Sequence, residues 1–367
     1  MASSKSDRLA ESLAADFTLP PGLTDEAPDP EKLLFNGEEP PAFPEGNIFP
    51  LEWRVETPKL EELYEKSRDP GWSPERLPWD TLDVDSMSWD ERYAVAYWFA
   101  LLSVFDASGP AVFARAMIHT YETHEEAPIR KCFFAITRDE HNHEEVCQRA
   151  IQTMVPNGPL DFEPRTVLGK LARHNIKWYY HNGARYWTGY NKAVSRYPLP
   201  ILFTSFLFGE VASSTLFSSM HEATTIPVFK EAFRRIAQDE ARHRAICMFV
   251  LKKLLPALTD EEKSTITRQL RAGFVFLSGI LYEPPEGEFW ELPAIFRPAH
   301  RLLEEKAREA GLGVLSVEKR EENWREAVLK MKGVIEPYGI AFPALPEIGV
   351  DGETVAFDPN EEFVAVF

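Results

Sequence analysis

The sequence predicts an all-α protein built around a four-helix bundle, with a long crossover helix, extra C-terminal helices and irregular arms at both ends. Three observations support this prediction. Apolar residues recur at helical spacing over most of the chain, and one helical pattern occurs twice at an offset of 100 residues. No segment gives a strong sheet signal, and a hydrophobic share of 44% in 367 residues is ample for a buried core.

The repeated pattern contains an Asp-Glu-x-x-His motif, first at residues 139–143 and again at residues 239–243. On a helix, residues three apart share a face, so the Glu and the His of each copy point the same way. Apolar residues accompany both copies at identical offsets, which places the motifs on the stripe that faces inward. These pairs are Phe133 and Phe233, Ile136 and Ile236, and Cys147 and Cys247. Two such helices facing each other offer two carboxylates and two imidazoles to a pair of metal ions. The four candidate ligands are Glu140, His143, Glu240 and His243.

A third carboxylate is Glu210, the one charged residue in the otherwise apolar or small run from Leu199 to Met220. An uncompensated charge is very costly to bury in an apolar helix, so this side chain needs a partner. Residues 224–227 predict the turn between two antiparallel helices, and Glu210 and Glu240 lie equally far from it. The two carboxylates are therefore expected at the same height in the bundle.

The fourth carboxylate follows from the same test. A helix that begins at Ser88 with a capping box is expected to continue to the next turn, at residues 123–128. Asp106 would then be level with Glu140. Pro110 cannot donate to the Asp106 carbonyl, so the helix should kink there.

The sequence leaves one alternative open for this fourth ligand. If the helix ends at Gly109-Pro110, Asp80 or Asp83 would stand level with Glu140 instead of Asp106. In either case the first hairpin contributes one Asp to the site.

The charge balance supports two metal ions. Four carboxylates bring four negative charges into one core, and two divalent cations would neutralise them. Carboxylate-rich ligand sets with one imidazole per ion suit iron or manganese, whereas structural zinc prefers Cys and His. Asp139 and Asp239 precede the ligand Glu in each copy, and each is expected to hold the His of the opposite copy. Asp239 would hold His143, and Asp139 would hold His243.

This arrangement resembles the ferritin-like di-iron carboxylate oxygenases and oxidases. These include bacterial multicomponent hydroxylases, acyl carrier protein desaturases, arylamine N-oxygenases and the small subunit of class I ribonucleotide reductase. The resemblance covers residues 88–255 and implies a ferritin-like bundle with a non-haem di-iron centre that activates O2. The ligands that it implies are Asp106, Glu140, His143, Glu210, Glu240 and His243. An Asp as first ligand is typical of the reductase subunit, whereas the oxygenases mostly use Glu.

Two further positions distinguish the branches of this superfamily. The reductase subunit carries its radical Tyr seven residues after the Glu of its first motif. This chain has Cys147 at that position, where it resembles the bacterial hydroxylases. Those hydroxylases place a Thr four residues after the third ligand, where this chain has Ser214 near the expected O2 face. The resemblance makes Cys147 and Ser214 candidate catalytic residues, with Ser214 equally interpretable as a helix-packing serine.

The function that this resemblance implies is O2-dependent hydroxylation, N-oxygenation or desaturation of a small organic substrate. Two iron ions are the expected cofactor, with manganese as the alternative metal and O2 as the co-substrate. The electrons must come from a separate reductase or ferredoxin, because the sequence has no flavin, nicotinamide or iron–sulfur motif. A radical-generating reductase-like subunit and a ferroxidase or iron-handling bundle are the alternative functions.

Composition indicates a cytoplasmic protein. The net charge of −18 argues against a nucleic-acid partner. No run of about 18 apolar residues lacks a charge, so no membrane span is expected. Residues 1–16 lack an apolar signal core, and the three cysteines are expected to be reduced thiols.

The chain is expected to have three regions. Residues 1–57 are Pro-rich and predict an irregular arm that wraps the domain or the neighbouring subunit of a homodimer. Residues 58–283 would form the bundle, with its core at 88–255 and a crossover helix over residues 165–190. Residues 284–367 would add two helices and an extended, Pro-interrupted tail packed on the bundle.

Overall fold

The fold is that of a computed structural model, which describes residues 44, 46–68, 71–194, 199–281, 283, 290 and 292–355. The chain divides into two compact units, Met1–Asn47 and Ile48–Phe367. The predicted arm over residues 1–57 and the end of the predicted tail lie largely outside the described residues. All helices described below belong to the second unit.

Helices make up most of the described chain, and an all-α fold is confirmed. Among the described residues no strand is found, and two isolated bridges pair Pro343 with Glu353 and Leu345 with Val350. In chain order the helices are α1 (Pro58–Arg68), α2 (Trp89–Asp106), α3 (Gly109–Glu122), α4 (Ala127–Met154), α5 (Gly158–Asp161), α6 (Val167–Val194), α7 (Leu199–Ala223), α8 (Pro227–Leu254), α9 (Asp260–Leu281), α10 (Phe296–Glu309) and α11 (Val317–Ile335).

The core consists of two helical hairpins. In the first, α2 and α3 pack against α4, and in the second, α7 packs against α8. The helices α4 and α8 carry the two Asp-Glu-x-x-His motifs and contact each other directly. Between the hairpins the chain crosses over through α6, which packs on α2 and corresponds to the crossover helix predicted over residues 165–190.

The first bundle helix is interrupted after Asp106, at the place where the kink was predicted. At its start, Ser88 and Glu91 form the expected capping box. At its other end α2 stops at Asp106, and α3 begins at Gly109 after a two-residue turn. Pro110 has no N–H to offer the Asp106 carbonyl, and the backbone resolves this mismatch by ending one helix and starting another.

The segment before α1 is fixed to the turn that begins α4. The backbone N–H groups of Glu56 and Thr57 donate to the Glu126 carboxylate at 2.7 and 2.8 Å. Lys253 from α8 reaches the same carboxylate at 3.2 Å. Helix α1 then packs on both α4 and α8.

The C-terminal helices pack against the bundle. Helices α9 and α11 contact α7, whereas α10 contacts α2 and α6. A buried polar cluster links three of these helices. The Tyr97 hydroxyl of α2 lies 2.8 Å from His300 Nδ1, and His300 Nε2 lies 3.1 Å from Glu304 Oε1. Arg320 of α11 lies 2.6 Å from the same Glu304 oxygen.

Two helical stretches, Trp89–Glu122 and Leu199–Ala223, are long and apolar enough to cross a membrane by length and composition alone. In each, 72% of the most apolar window is buried inside the protein. Burial on this scale is what the central helices of a bundle show, because their apolar faces pack on neighbouring helices.

Candidate metal centre

Six side chains predicted as ligands meet in the middle of the bundle. Glu140 and His143 come from α4, Glu240 and His243 from α8, Glu210 from α7, and Asp106 from the last residue of α2. All six are buried, with exposed fractions between 0% and 6%. The alternative first ligands, Asp80 and Asp83, are exposed, and Asp83 accepts a hydrogen bond from the Ser86 N–H.

The six side chains form two overlapping groups. In each group the potential ligand atoms lie within 4.8 Å of one another. One group is Asp106, Glu140 and His143, and the other is Glu140, Glu210, Glu240 and His243. Because Glu140 belongs to both groups, it is the one residue that could serve as a ligand in either group.

Both imidazoles point one nitrogen at the carboxylates. His143 Nδ1 lies 3.4 Å from Glu240, and His243 Nδ1 lies 3.3 Å from both Glu140 and Glu210. Neither Nδ1 atom has a hydrogen-bond partner, and neither does Glu210 Oε2. Buried polar atoms are almost always paired, so two unpaired imidazole nitrogens and an unpaired carboxylate oxygen in one buried cluster fit a site that holds metal ions.

The other imidazole nitrogens are held by aspartates of the opposite motif. His143 Nε2 lies 3.3 Å from Asp239 Oδ2, and His243 Nε2 lies 3.3 Å from Asp139 Oδ2. If a metal ion were bound at Nδ1, each Nε2–H would donate to its aspartate. Such a hydrogen bond fixes the orientation of the ring and makes it a stronger ligand.

Three residues around these aspartates were missed in the sequence. The Trp72 indole N–H donates to Asp239 at 2.7 Å, and its ring stacks on His143 with centroids 6.3 Å apart. Arg138 donates to Asp139 at 2.6 Å, and Arg242 donates to both aspartates. The two arginines lie in or beside the motifs, so their proximity to the aspartates could have been inferred from the sequence. Trp72 lies in a connecting segment 167 residues from Asp239, and no sequence pattern links the two.

The electrostatics of the cluster without metal show how strongly it favours cations. Burial, with repulsion from neighbouring carboxylates, raises the pKa of Asp106 and that of Glu240 to about 8. Burial alone would lower the pKa of His143 and of His243, but the surrounding carboxylates outweigh it and raise both pKa values. Without metal, the cluster therefore holds protons where metal ions would otherwise balance its charge.

The break after α2 gives Glu140 its room. A Cβ atom built at Gly109 would overlap the Glu140 carboxylate. Any residue larger than glycine at position 109 would therefore have to displace that carboxylate. Gly109 is the first residue of α3, so the helix break and the close approach to Glu140 occur at the same place.

A cavity opens on the carboxylate side of the cluster. Its walls include Asp106, Glu140, Glu210 and Glu240, but among the described residues neither imidazole lines it. The volume of this cavity is about 100 Å³. Seven of its lining residues are aromatic and come from α2, α3, α6 and α7: Phe105, Phe113, Tyr186, Trp187, Tyr190, Phe206 and Phe208.

The two candidate catalytic residues lie in different places. Cys147 is fully buried, and its Sγ is 3.5 Å from Asp106 Oδ2. Burial, with the adjacent Asp106, raises the pKa of the Cys147 thiol well above its usual range, so it is a thiol and not a thiolate. Ser214 lines a separate groove between α7, α8 and α11, and the neighbouring Ser213 lines the cavity instead. This placement favours the packing interpretation of Ser214.

Comparisons with known proteins agree with this architecture. A family model described as rubrerythrin matches residues 202–322, a stretch that includes Glu210, Glu240 and His243. No curated protein matches the chain.

Several solved structures share its fold. One is a tyrosine-to-phenylalanine mutant of an R2-like ligand-binding oxidase with an anaerobically reconstituted Mn/Fe cofactor. It has a TM-score of 0.55 and 15% identity, over 76% of this chain and 94% of that one. Another is an R2-like ligand-binding oxidase with an aerobically reconstituted Mn/Fe cofactor. It has a TM-score of 0.52 and 14% identity, over 75% of this chain and 92% of that one. The chain thus has the ferritin-like fold, similar to that of the R2-like ligand-binding oxidases, and carries within it a buried carboxylate–histidine cluster suited to two metal ions.

Proposed function

We propose that this chain is an O2-activating oxidoreductase that oxidises a small organic substrate at a dinuclear iron or manganese–iron centre. The observation that carries the proposal is the pair of unpaired imidazole Nδ1 atoms, which face four buried carboxylates. The Mn/Fe cofactor named for the R2-like ligand-binding oxidases of the same fold supports a dinuclear metal pair here.

The residues divide the work of such a centre. One ion would be held by Asp106, Glu140 and His143, and the other by Glu140, Glu210, Glu240 and His243. When bound, the metal pair supplies the electron-transfer chemistry by which O2 is reduced and a C–H or N–H bond is oxidised. Asp139 and Asp239 orient the two imidazoles, and the aromatic walls of the cavity exclude water beside the carboxylates.

The electrons are proposed to come from a separate reductase or ferredoxin, because no flavin, nicotinamide or iron–sulfur motif occurs in the sequence. Monooxygenation fits a cavity that places an organic molecule directly against the carboxylate side of the cluster.

The test combines metal content with O2 uptake. The purified chain is loaded without air with Fe(II) alone or with Fe(II) and Mn(II), freed of unbound metal, and analysed for metal per chain. It is then mixed with O2 and excess reductant. We expect about two ions per chain and O2 uptake.

The test variant is Glu240→Ala, which removes a carboxylate of the cluster. Its matched control is Glu222→Ala, which changes an exposed glutamate on α7. The first should lose tightly bound metal and O2 uptake, and the second should keep both. No bound metal, a single zinc ion, or full activity with one ion per chain would contradict the proposal.

A further inference from the structure

The walls of the carboxylate-side cavity are made of aromatic rings that pack on one another. Phe113 and Phe206 lie with centroids 4.7 Å apart, and Tyr190 lies 6.3 Å from Phe206. Tyr186 stacks on Tyr190 with centroids 5.7 Å apart and an interplanar angle of 18°. Rings in these arrangements present faces and edges to a guest, which favours another flat ring over a flexible chain.

Small residues leave the space between these rings open. Gly209 and Gly273 both line the cavity, and a Cβ built at Gly209 meets no atom within 4 Å. A larger side chain at position 209 would therefore project into the cavity. The opening lies next to Glu210, so a guest in this space would contact the carboxylate side of the cluster.

The charge of the lining excludes one class of guest. Among the described lining residues there is no Lys, Arg or His, and the charged groups are the four carboxylates of the cluster. Two divalent ions in the proposed centre would already be balanced by these four carboxylates. An organic carboxylate would then add a buried negative charge that no lining side chain compensates, which is costly. The remaining polar groups of the lining are neutral: Gln269, Ser205, Ser213, the hydroxyls of Tyr186 and Tyr190, and the indole N–H of Trp187.

We propose that this cavity binds a flat, uncharged aromatic molecule with a neutral hydrogen-bonding group, and that it rejects organic anions. The half-buried Gln269 offers an amide to the neutral group of the guest. This proposal rests on the proposed function, because the guest is a substrate only if the chain is an oxidoreductase. Binding of the guest can be measured without turnover and without O2.

The test is the affinity of a matched pair of probes, indole and indole-3-carboxylate, measured by equilibrium dialysis. Both the metal-loaded and the metal-free chain are used. Indole should bind about tenfold or more tightly than its carboxylate. Gly209→Leu should lose indole binding because its side chain fills the space, and Ala272→Phe serves as a second blocking variant if the first does not fold.

The matched control is Gly333→Leu, a glycine in α11 that is exposed and whose Cβ would meet no atom within 4 Å. It should bind indole as the unchanged chain does. Equal affinity for the two probes, or indole binding that survives both blocking variants, would overturn the inference. A chain that holds two metal ions but prefers the anion refutes the substrate class alone, whereas a chain that cannot be loaded with metal but still binds indole refutes only the proposed function.

Discussion

Asp239 is the residue whose contacts extend furthest from the ligand set. Its carboxylate accepts hydrogen bonds from the Trp72 indole and from Arg242, and faces His143 Nε2 at 3.3 Å. Burial alone would raise the pKa of Asp239, but the hydrogen bond to His143 outweighs it, and the pKa is lowered. The Asp239 side chain is therefore ionised. It stabilises the orientation of the His143 imidazole, a proposed metal ligand, without being one of the proposed ligands itself.

Asp239→Asn should lower metal affinity by roughly 10–100-fold without abolishing it, because the amide keeps the shape but loses the charge. The measurement is competition with a chelator of known affinity. Asp85→Asn, at an exposed position, is the control and should leave the affinity unchanged. An unaltered affinity in Asp239→Asn would show that the imidazole needs no anionic partner.

At the residue scale, the sequence identified those site residues that belong to a short, repeated motif. The two motifs repeat with the same flanking residues, and this periodicity was enough to bring Glu140, His143, Glu240 and His243 to one point. Ser213 and Ser214 show the limit of this reasoning. They lie three and four residues after Glu210, on nearly the same helix face, and only the rotation of α7 decides which one lines the cavity.

At the element scale, the heights of the carboxylates could be predicted because an α-helix rises a constant ~1.5 Å per residue from a known turn. The shape of α2 and α3 could not. Pro110 predicted a disturbance at Asp106, but whether the backbone bends or breaks depends on what packs beside it. Here the carboxylate of Glu140 occupies the space beside Gly109, and the helix restarts there.

Gly109→Ala should reduce metal occupancy, because the new methyl group overlaps the Glu140 carboxylate. Metal per chain after loading is the measurement. Gly333→Ala in α11 has open space and should keep the metal, while gaining up to about 1 kcal/mol in the free energy of unfolding from higher helix propensity. Full metal occupancy in Gly109→Ala would mean that Glu140 can move aside at no cost to the site.

At the scale of the whole molecule, the cluster couples stability to pH and to metal. The pKa values of Asp106 and Glu240 rise from ordinary values of 3.8 and 4.5 to about 8 in the folded chain without metal. Between about pH 4 and pH 8 the folded state therefore holds protons that the unfolded state has released, and its stability falls as the pH rises. The raised pKa values of His143 and His243 act in the same direction, since their contribution is complete below the ordinary value of 6.5 and is lost at higher pH.

The melting temperature of the metal-free chain should accordingly fall between about pH 5 and pH 8. Metal ions replace these protons, so the rise in melting temperature on metal loading should grow over the same range. Thermal melts with metal and with a chelator, at several pH values, measure both trends. A metal-free melting temperature that rises towards pH 8 would contradict the protonated cluster.

The sequence predicted C-terminal helices packed on the bundle, but it could not predict the polar contacts between them, because these join distant segments of the chain. Glu304 and Arg320 lie on α10 and α11, with exposed fractions of 3% and 4%, and their closest atoms are 2.6 Å apart. Burial alone would raise the pKa of Glu304, but His300 and Arg320 outweigh it and lower the pKa. Glu304 and Arg320 are therefore buried charges that stabilise each other. They lie on α10, which contacts α2, and on α11, which contacts α7.

Arg320→Met should destabilise the metal-free chain by roughly 3–5 kcal/mol, because it leaves Glu304 buried without its cation. The double variant Arg320→Met with Glu304→Leu removes both charges and should recover a large part of that loss. Denaturant unfolding in the presence of a chelator gives both free energies without a contribution from metal binding. If the double variant is as unstable as the sum of its two single variants, Glu304 and Arg320 contribute to stability independently of each other.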